Sequence, residues 1–231
     1  MKNIENRLSA FETALEKVKR KIRRTDAAVQ DTEDMLHAGM VENACESAFQ
    51  LAYEAEQLTL LARTLPAYTG NPTAAQVSEN IMLSVAPIQI GFTCEGWFGV
   101  FIPSLLPKKS KGSADYIRAM LYPAMRRFFH GKEPVRYNRC VLIFRHIYDK
   151  CRPERRYRDH DNIEINMVSD IVALYVMTDD APPCCSHYYC SAAGDTDRTE
   201  IYVVNREDFP RWLKAEKTFP LEGVKLLEKH T

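Results

Sequence analysis

The sequence predicts an α+β fold, with an N-terminal antiparallel helical hairpin followed by a mixed sheet with helices. Three observations carry this. Apolar residues over the first 65 positions recur at helical spacing. From Ile88 onward, short β-rich runs such as Ile88-Gln89-Ile90-Gly91-Phe92 and Ile201-Tyr202-Val203-Val204 take turns with helical stretches. Between the two regimes lies Tyr68-Thr69-Gly70-Asn71-Pro72-Thr73, where glycine and proline mark a linker. The expected division is residues 1–68 for the hairpin, 69–86 for the linker and a short helix, 87–205 for the sheet domain and 206–231 for a helical tail.

In the first helix Ile4, Leu8, Phe11, Leu15, Val18 and Ile22 step by four and three, the seam of a coiled coil, and Val29 and Leu36 extend it. The basic run Lys17 to Arg24 falls on its exposed side. Gly39 breaks the helix. The second helix carries Val41, Cys45, Ala48, Ala52, Ala55, Leu58, Ala62 and Leu65, and Pro66 ends it. Its alanines allow close approach. A short helix is expected from about Ala74 to Ser84. Two strands follow, Ile88 to Phe92 and Trp97 to Ile102, joined by a turn near Glu95-Gly96. After a basic loop from Lys108 to Ser113, a helix from about Ala114 to Phe129 presents Ile117, Leu121, Met125 and Phe128 on one side. Pro123 is expected to kink or divide it. Arg139 to Tyr148 is the next strand. A helix from about Asn162 to Val176 then buries Ile163, Met167, Ile171 and Leu174. His187 to Cys190 and Glu200 to Val204 read as a hairpin around Gly194-Asp195-Thr196-Asp197. The tail from Asp208 to Leu227 reads as two helical pieces divided by Pro220.

Composition narrows the function. No apolar run is long enough to cross a membrane, and the N-terminus lacks the apolar core of a secretory signal, so a cytoplasmic protein is expected. The seven cysteines are an odd number and fit reduced thiols. Cys184 to Cys190 looks at first like a zinc knuckle. No second pair accompanies it and the segment alternates like a strand, so half-buried thiols are the alternative. The formal net charge is +0, but residues 108–158 hold 15 basic residues against 4 acidic ones. The blocks on either side are both net acidic. Such a concentration of positive charge is the footprint of a phosphate-binding face.

The chemistry is concentrated next to that block. Lys150, Arg152, Arg155, Arg156 and Arg158 run directly into Asp159-His160-Asp161-Asn162, and Asp179-Asp180 follow one helix later. Crowded carboxylates repel one another, and a divalent cation relieves the repulsion. The expected ligands are Asp159, Asp161 and Asp180, with Asp179 as an alternate, and Mg²⁺ or Mn²⁺ is the expected ion. His160 points away from its neighbours if the segment is extended. A 15-residue helix spans about 22 Å, so the second acidic pair cannot meet the first along one straight helix. A bend, a partner subunit or a shorter helix would close the gap.

From Cys140 to Val204 the chain resembles the RusA-type Holliday junction resolvases of phages and bacteria. The resemblance rests on the strand Val141-Leu142-Ile143-Phe144, the basic loop, Asp159-His160-Asp161-Asn162, the Asp179-Asp180 pair and the strand Ile201-Tyr202-Val203-Val204. Phe101 to Lys109 looks like the proline-containing first strand and loop, which extends the match to roughly residues 97–204. The resemblance implies a magnesium-dependent endonuclease of branched double-stranded DNA, from a prophage or mobile element. Asp159, Asp161 and Asp180 would be catalytic, and Lys108, Lys109, Lys111, Lys150, Arg152, Arg155, Arg156 and Arg158 would contact DNA. Two symmetric cuts imply a homodimer. The family usually has a lysine four residues after the second motif aspartate, where this chain has Ile165. The alternatives are a DNA-binding protein without the chemistry, and an assembly protein whose hairpin binds a further protein.

Overall fold

A computed structural model of the chain describes residues 2–74, 77, 88–107, 109, 114–133, 135–150 and 160–229; for residues 2–8, 114 and 161 it describes the backbone alone. The chain divides into two compact units, Met1–Met82 with Ser110–Ala119, and Leu83–Lys109 with Met120–Thr231. The architecture is α+β, as the sequence predicts.

In the first unit, α1 (Lys2–His37) and α2 (Val41–Tyr68) form the hairpin, turned by Gly39 at φ +75°. Lys21 Nζ meets Glu54 Oε2 at 2.7 Å, and the Thr32 hydroxyl donates to Ser47 Oγ at 3.0 Å, so the helices run antiparallel. The seam differs from the expected one. The covered or half-covered positions of α1 are Phe11, Ala14, Leu15, Val18, Lys21, Thr25, Ala28, Thr32 and Met35. Ile22, Val29 and Leu36 lie outside it, exposed. Small residues explain the shift. Ala14, Ala28 and Ala44 let the backbones approach, and the polar side chains of Lys21 and Thr32 find partners across the seam. Pro66 does not end α2, which runs on to Tyr68. The short helix expected from Ala74 to Ser84 falls largely outside the described residues.

The second unit is built on five strands: β1 (Gln89–Phe92), β2 (Phe98–Ile102), β3 (Cys140–Asp149), β4 (Cys185–Gly194) and β5 (Arg198–Asn205). Their spatial order is β1-β2-β5-β3-β4. Only the β3–β4 pair is parallel. α3 (Ala114–Phe129) runs unbroken through Pro123, and its Leu121 and Met125 are buried as expected. α4 (Asn166–Val176) is the crossover between β3 and β4. Ahead of it, His160–Asn162 forms a single 3-10 turn, so the helix starts four residues later than the sequence suggested. Its buried residues are Val168, Ser169, Ile171, Val172 and Val176, while Leu174 is exposed.

β4 and β5 are not a hairpin, contrary to expectation. β3 lies between them and pairs with both. The short link from Gly194 to Arg198 crosses the end of β3, where Lys150 N donates to the Gly194 carbonyl and Asp149 N to Asp197 Oδ1, both at 2.9 Å. Apolar character alone could not exclude this arrangement. Each strand is β-rich whichever neighbour it takes.

Facing residues across the ladders define the two sides of the sheet. One side packs Trp97, Phe101, Val141, Ile143, Tyr202 and Val204 around Trp212 of α5 (Phe209–Ala215). Arg145, Arg198 and Tyr202 all bond the fully buried Glu200 on this side. The other side carries Phe98, Val100, Ile102, Leu142, Phe144, Ile201 and Val203, all buried. There Phe98 meets Phe129 of α3 at 5.8 Å, and Phe129 stacks on Tyr175 of α4 at 5.5 Å. The tail carries α5 and a 3-10 turn, Glu216–Thr218, but among the described residues no helix after Pro220. Instead Leu227 bridges to Phe92 by two 2.7 Å backbone bonds.

Candidate functional site

The register of β3 and β4 turns the second side of the sheet polar at its β4 edge. Cys140 faces Cys185, Leu142 faces His187, Phe144 faces Tyr189 and His146 faces Ser191. Period-two alternation therefore lines Cys185, His187, Tyr189 and Ser191 in one column. The crossover brings His160 to this column ahead of α4 and returns toward it through Asp179-Asp180 after α4.

The first segment arrives through His160. Its Nε2 lies 2.8 Å from Ser191 Oγ, and its ring lies 6.1 Å from the Tyr189 ring and 5.8 Å from the His146 ring. The 3-10 turn, rather than an extended chain, folds this histidine onto β4. The turn is held from its other side by the loop after β2. Lys109 N donates to the Asn162 carbonyl, and Glu164 N donates to the Pro107 carbonyl, both at 2.9 Å. Those two bonds fix the expected DNA-contacting Lys109 beside the 160–162 turn, with its side chain exposed.

The second segment arrives after α4. Asp179 Oδ1 accepts from Ala181 N at 3.0 Å and so closes a turn. The turn leads into β4, where Cys184 N and Cys185 N both donate to the Ala181 carbonyl. Asp180 is exposed, and its charge helps raise the pKa of His187. The larger cause of that rise is a hydrogen bond to Cys185, and burial opposes it. His187 Nδ1 lies 3.0 Å from the Tyr189 hydroxyl. The Cys140 thiol donates to Cys185, and His187 adds to that effect, which pulls the Cys185 thiol down to about 5.

With only 11 residues, α4 spans about 16 Å. The helix is shorter than the sequence suggested, which reduces the distance between its two ends. Its two ends bear on β4 positions two to four residues apart, roughly 7 to 13 Å along the strand. Asp159 lies outside the described residues, as do the side chain of Asp161 and all of Lys108, Lys111, Arg152, Arg155, Arg156 and Arg158. Among the described residues, no group of three or more His, Cys, Asp or Glu side chains is placed to hold a metal ion. Lys150, also expected to contact DNA, is exposed and pairs with Asp195 at 2.7 Å.

Three features went unseen in the sequence. Arg136 caps the end of α4, its Nη1 donating to the Leu174 and Met177 carbonyls at 3.0 and 2.9 Å. With Asp170, Asp179 and Asp180 it lines an open depression of about 620 Å³. A second depression, of about 570 Å³, is lined by Arg136, Arg139 and Arg206 together with Glu207 and Asp208. The polar column of His187 and Tyr189 is the third. Only its alternation was visible. The cysteine-rich segment is strand, not a knuckle. Cys185 faces Cys140, while Cys190 packs toward Trp212 on the opposite side of the sheet, so the two cannot share an ion.

No curated protein matches the chain. The chain belongs to a family of unknown function, DUF6100, which it matches over residues 6–229.

Proposed function

We propose that this protein is a magnesium-dependent endonuclease acting on branched double-stranded DNA. The observation that carries the reading is the position of the 160–162 turn. It is held between the lysine-bearing loop at Pro107 and Lys109 and the polar column of β4, to which Asp180 also returns. Carboxylates suit Mg²⁺ or Mn²⁺, and Asp159, Asp161 and Asp180 are the residues to hold it, with Asp179 engaged in its turn. The ion would supply an activated water and a counter-charge for the leaving oxygen. Lys109 and Arg136, with the loop basic residues Lys108, Lys111, Arg152, Arg155, Arg156 and Arg158, would neutralise phosphates on either side of the scissile bond. Lys150 can join them by exchanging Asp195 for a phosphate, because an exposed ion pair is worth only about 0–1 kcal/mol.

The test is a synthetic four-way junction incubated with the protein and Mg²⁺ at low salt. Symmetric nicks are expected, and Asp161→Asn is expected to abolish them while leaving junction binding intact. A wild-type protein that leaves every junction uncut in Mg²⁺ and in Mn²⁺ removes the catalytic reading. One observation favours a second reading, binding without cleavage. Ile165, where the resembling family keeps a lysine, is buried at the start of α4, so no ammonium group is available there. Under that reading the junction is bound and never cut.

A further inference from the structure

We infer that α1 pairs antiparallel with α1 of a second copy of this chain. The inference stands apart from the nuclease reading. It starts from three large apolar side chains that the hairpin leaves uncovered: Ile22 at 49%, Val29 at 47% and Leu36 at 59% exposure. They are spaced by seven residues, and half-covered Leu15 continues the series toward the N-terminus. An α-helix has 3.6 residues per turn, so a seven-residue repeat drifts only about 20° per step. The four side chains therefore form one stripe, roughly 31 Å long. A strict heptad stripe on an exposed helix is the pattern a coiled-coil partner fills. It lies beside the α2 seam, 40–60° around α1 from Val18 and Thr25, so a further helix can dock without disturbing the hairpin.

The charges beside the stripe choose the occupant and its direction. Along the flank away from α2, Lys19, Asp26 and Glu33 lie next to the stripe, with Glu16 and Arg23 one position further around. A parallel copy would set this flank against the α2 side of its partner, where none of these charges could pair with one another. An antiparallel copy sets Lys19 opposite Glu33 twice about the two-fold axis, while the two Asp26 side chains meet near the axis with Arg23 of either copy about one turn away. In the same register, to within one residue, Ile22 meets Val29 of the copy and Leu15 meets its Leu36, so the apolar layers and the Lys19–Glu33 pair agree on one alignment. Lys19 currently pairs with Glu16 at 2.7 Å. That exposed contact is readily exchanged.

Sedimentation equilibrium of the full chain tests this. Wild type is expected at twice the 26.5 kDa of one chain. Val29→Asp places two carboxylates near the centre of the stripe and is expected to raise the dimer Kd at least about a hundredfold. Because Val29 is exposed, helicity by circular dichroism should not change. Lys19→Glu should weaken the dimer, and Lys19→Glu combined with Glu33→Lys should restore it. A wild-type monomer at every concentration overturns the inference, as does a dimer untouched by Val29→Asp. A dimer lost with Val29→Asp yet indifferent to both charge changes overturns the antiparallel register.

Discussion

His187 reports on the candidate site more directly than any carboxylate, because it touches Cys185 and Tyr189 and feels Asp180. Its pKa lies above the ordinary 6.5, chiefly through the hydrogen bond to Cys185 and then through the charges of Cys185 and Asp180. A group whose folded pKa is raised stabilises the fold fully below its unfolded value. That contribution is lost as the pH climbs through the folded value. Ring titration by NMR should place His187 above 6.5 in the wild type. Cys185→Ala should bring it down most, and Asp180→Asn by a smaller step. An Asp180→Asn protein with an unmoved His187 would place that carboxylate away from β4. The residue types of the site were legible in the sequence, but their neighbours were not. Nothing in a linear reading set His187 beside the acidic pair, since only the parallel β3–β4 register creates the column it occupies. Glu200 was equally silent. Its two arginine partners become visible only once Arg145 of β3 and Arg198 of β5 point to one side of the sheet.

Most elements could be read from periodicity, and the differences share a physical origin in tertiary choice. In the hairpin, the apolar reading selected Ile22, Val29 and Leu36, yet the seam preferred alanines and cross-paired polar side chains that allow closer packing. In the sheet, strand content was legible and neighbour order was not. Two consecutive β-rich runs around Gly194-Asp195-Thr196-Asp197 resemble a hairpin, and only the competition of β3 for both edges excludes one. That crossing makes a sharp demand on Gly194. A Cβ there would fall 2.4 Å from Ile147 Cγ2 and 3.0 Å from the Leu221 carbonyl oxygen. Gly194→Ala should therefore lower stability by about 1–3 kcal/mol in denaturant unfolding, the usual penalty of overpacking a filled site. A neutral Gly194→Ala would mean that the link over β3 has slack.

At the scale of the whole molecule, a formal net charge of +0 conceals a strongly uneven distribution. Not all of the basic block can face a polyanion. Arg145 is buried against Glu200 and Glu216, and Arg136 is partly engaged in capping α4. Lys109, Arg126, Arg127, Lys132, Arg136 and Arg139 remain exposed in the second unit. A protein that neutralises about six phosphates loses roughly 10³-fold in affinity between 50 and 200 mM salt, because the counterions it displaces must be released against a higher concentration. Junction binding followed by fluorescence anisotropy should fall about that steeply. Chelation by EDTA separates the two parts of the proposed site. Under the proposed function the arginines and lysines would hold phosphates without a metal, whereas hydrolysis through Asp159, Asp161 and Asp180 would depend on one. Binding should therefore survive EDTA while cleavage stops, and added Mg²⁺ should restore cleavage. A shallow salt slope would remove the basic block from the interface. Loss of binding with EDTA would instead give the metal a structural part in holding the DNA.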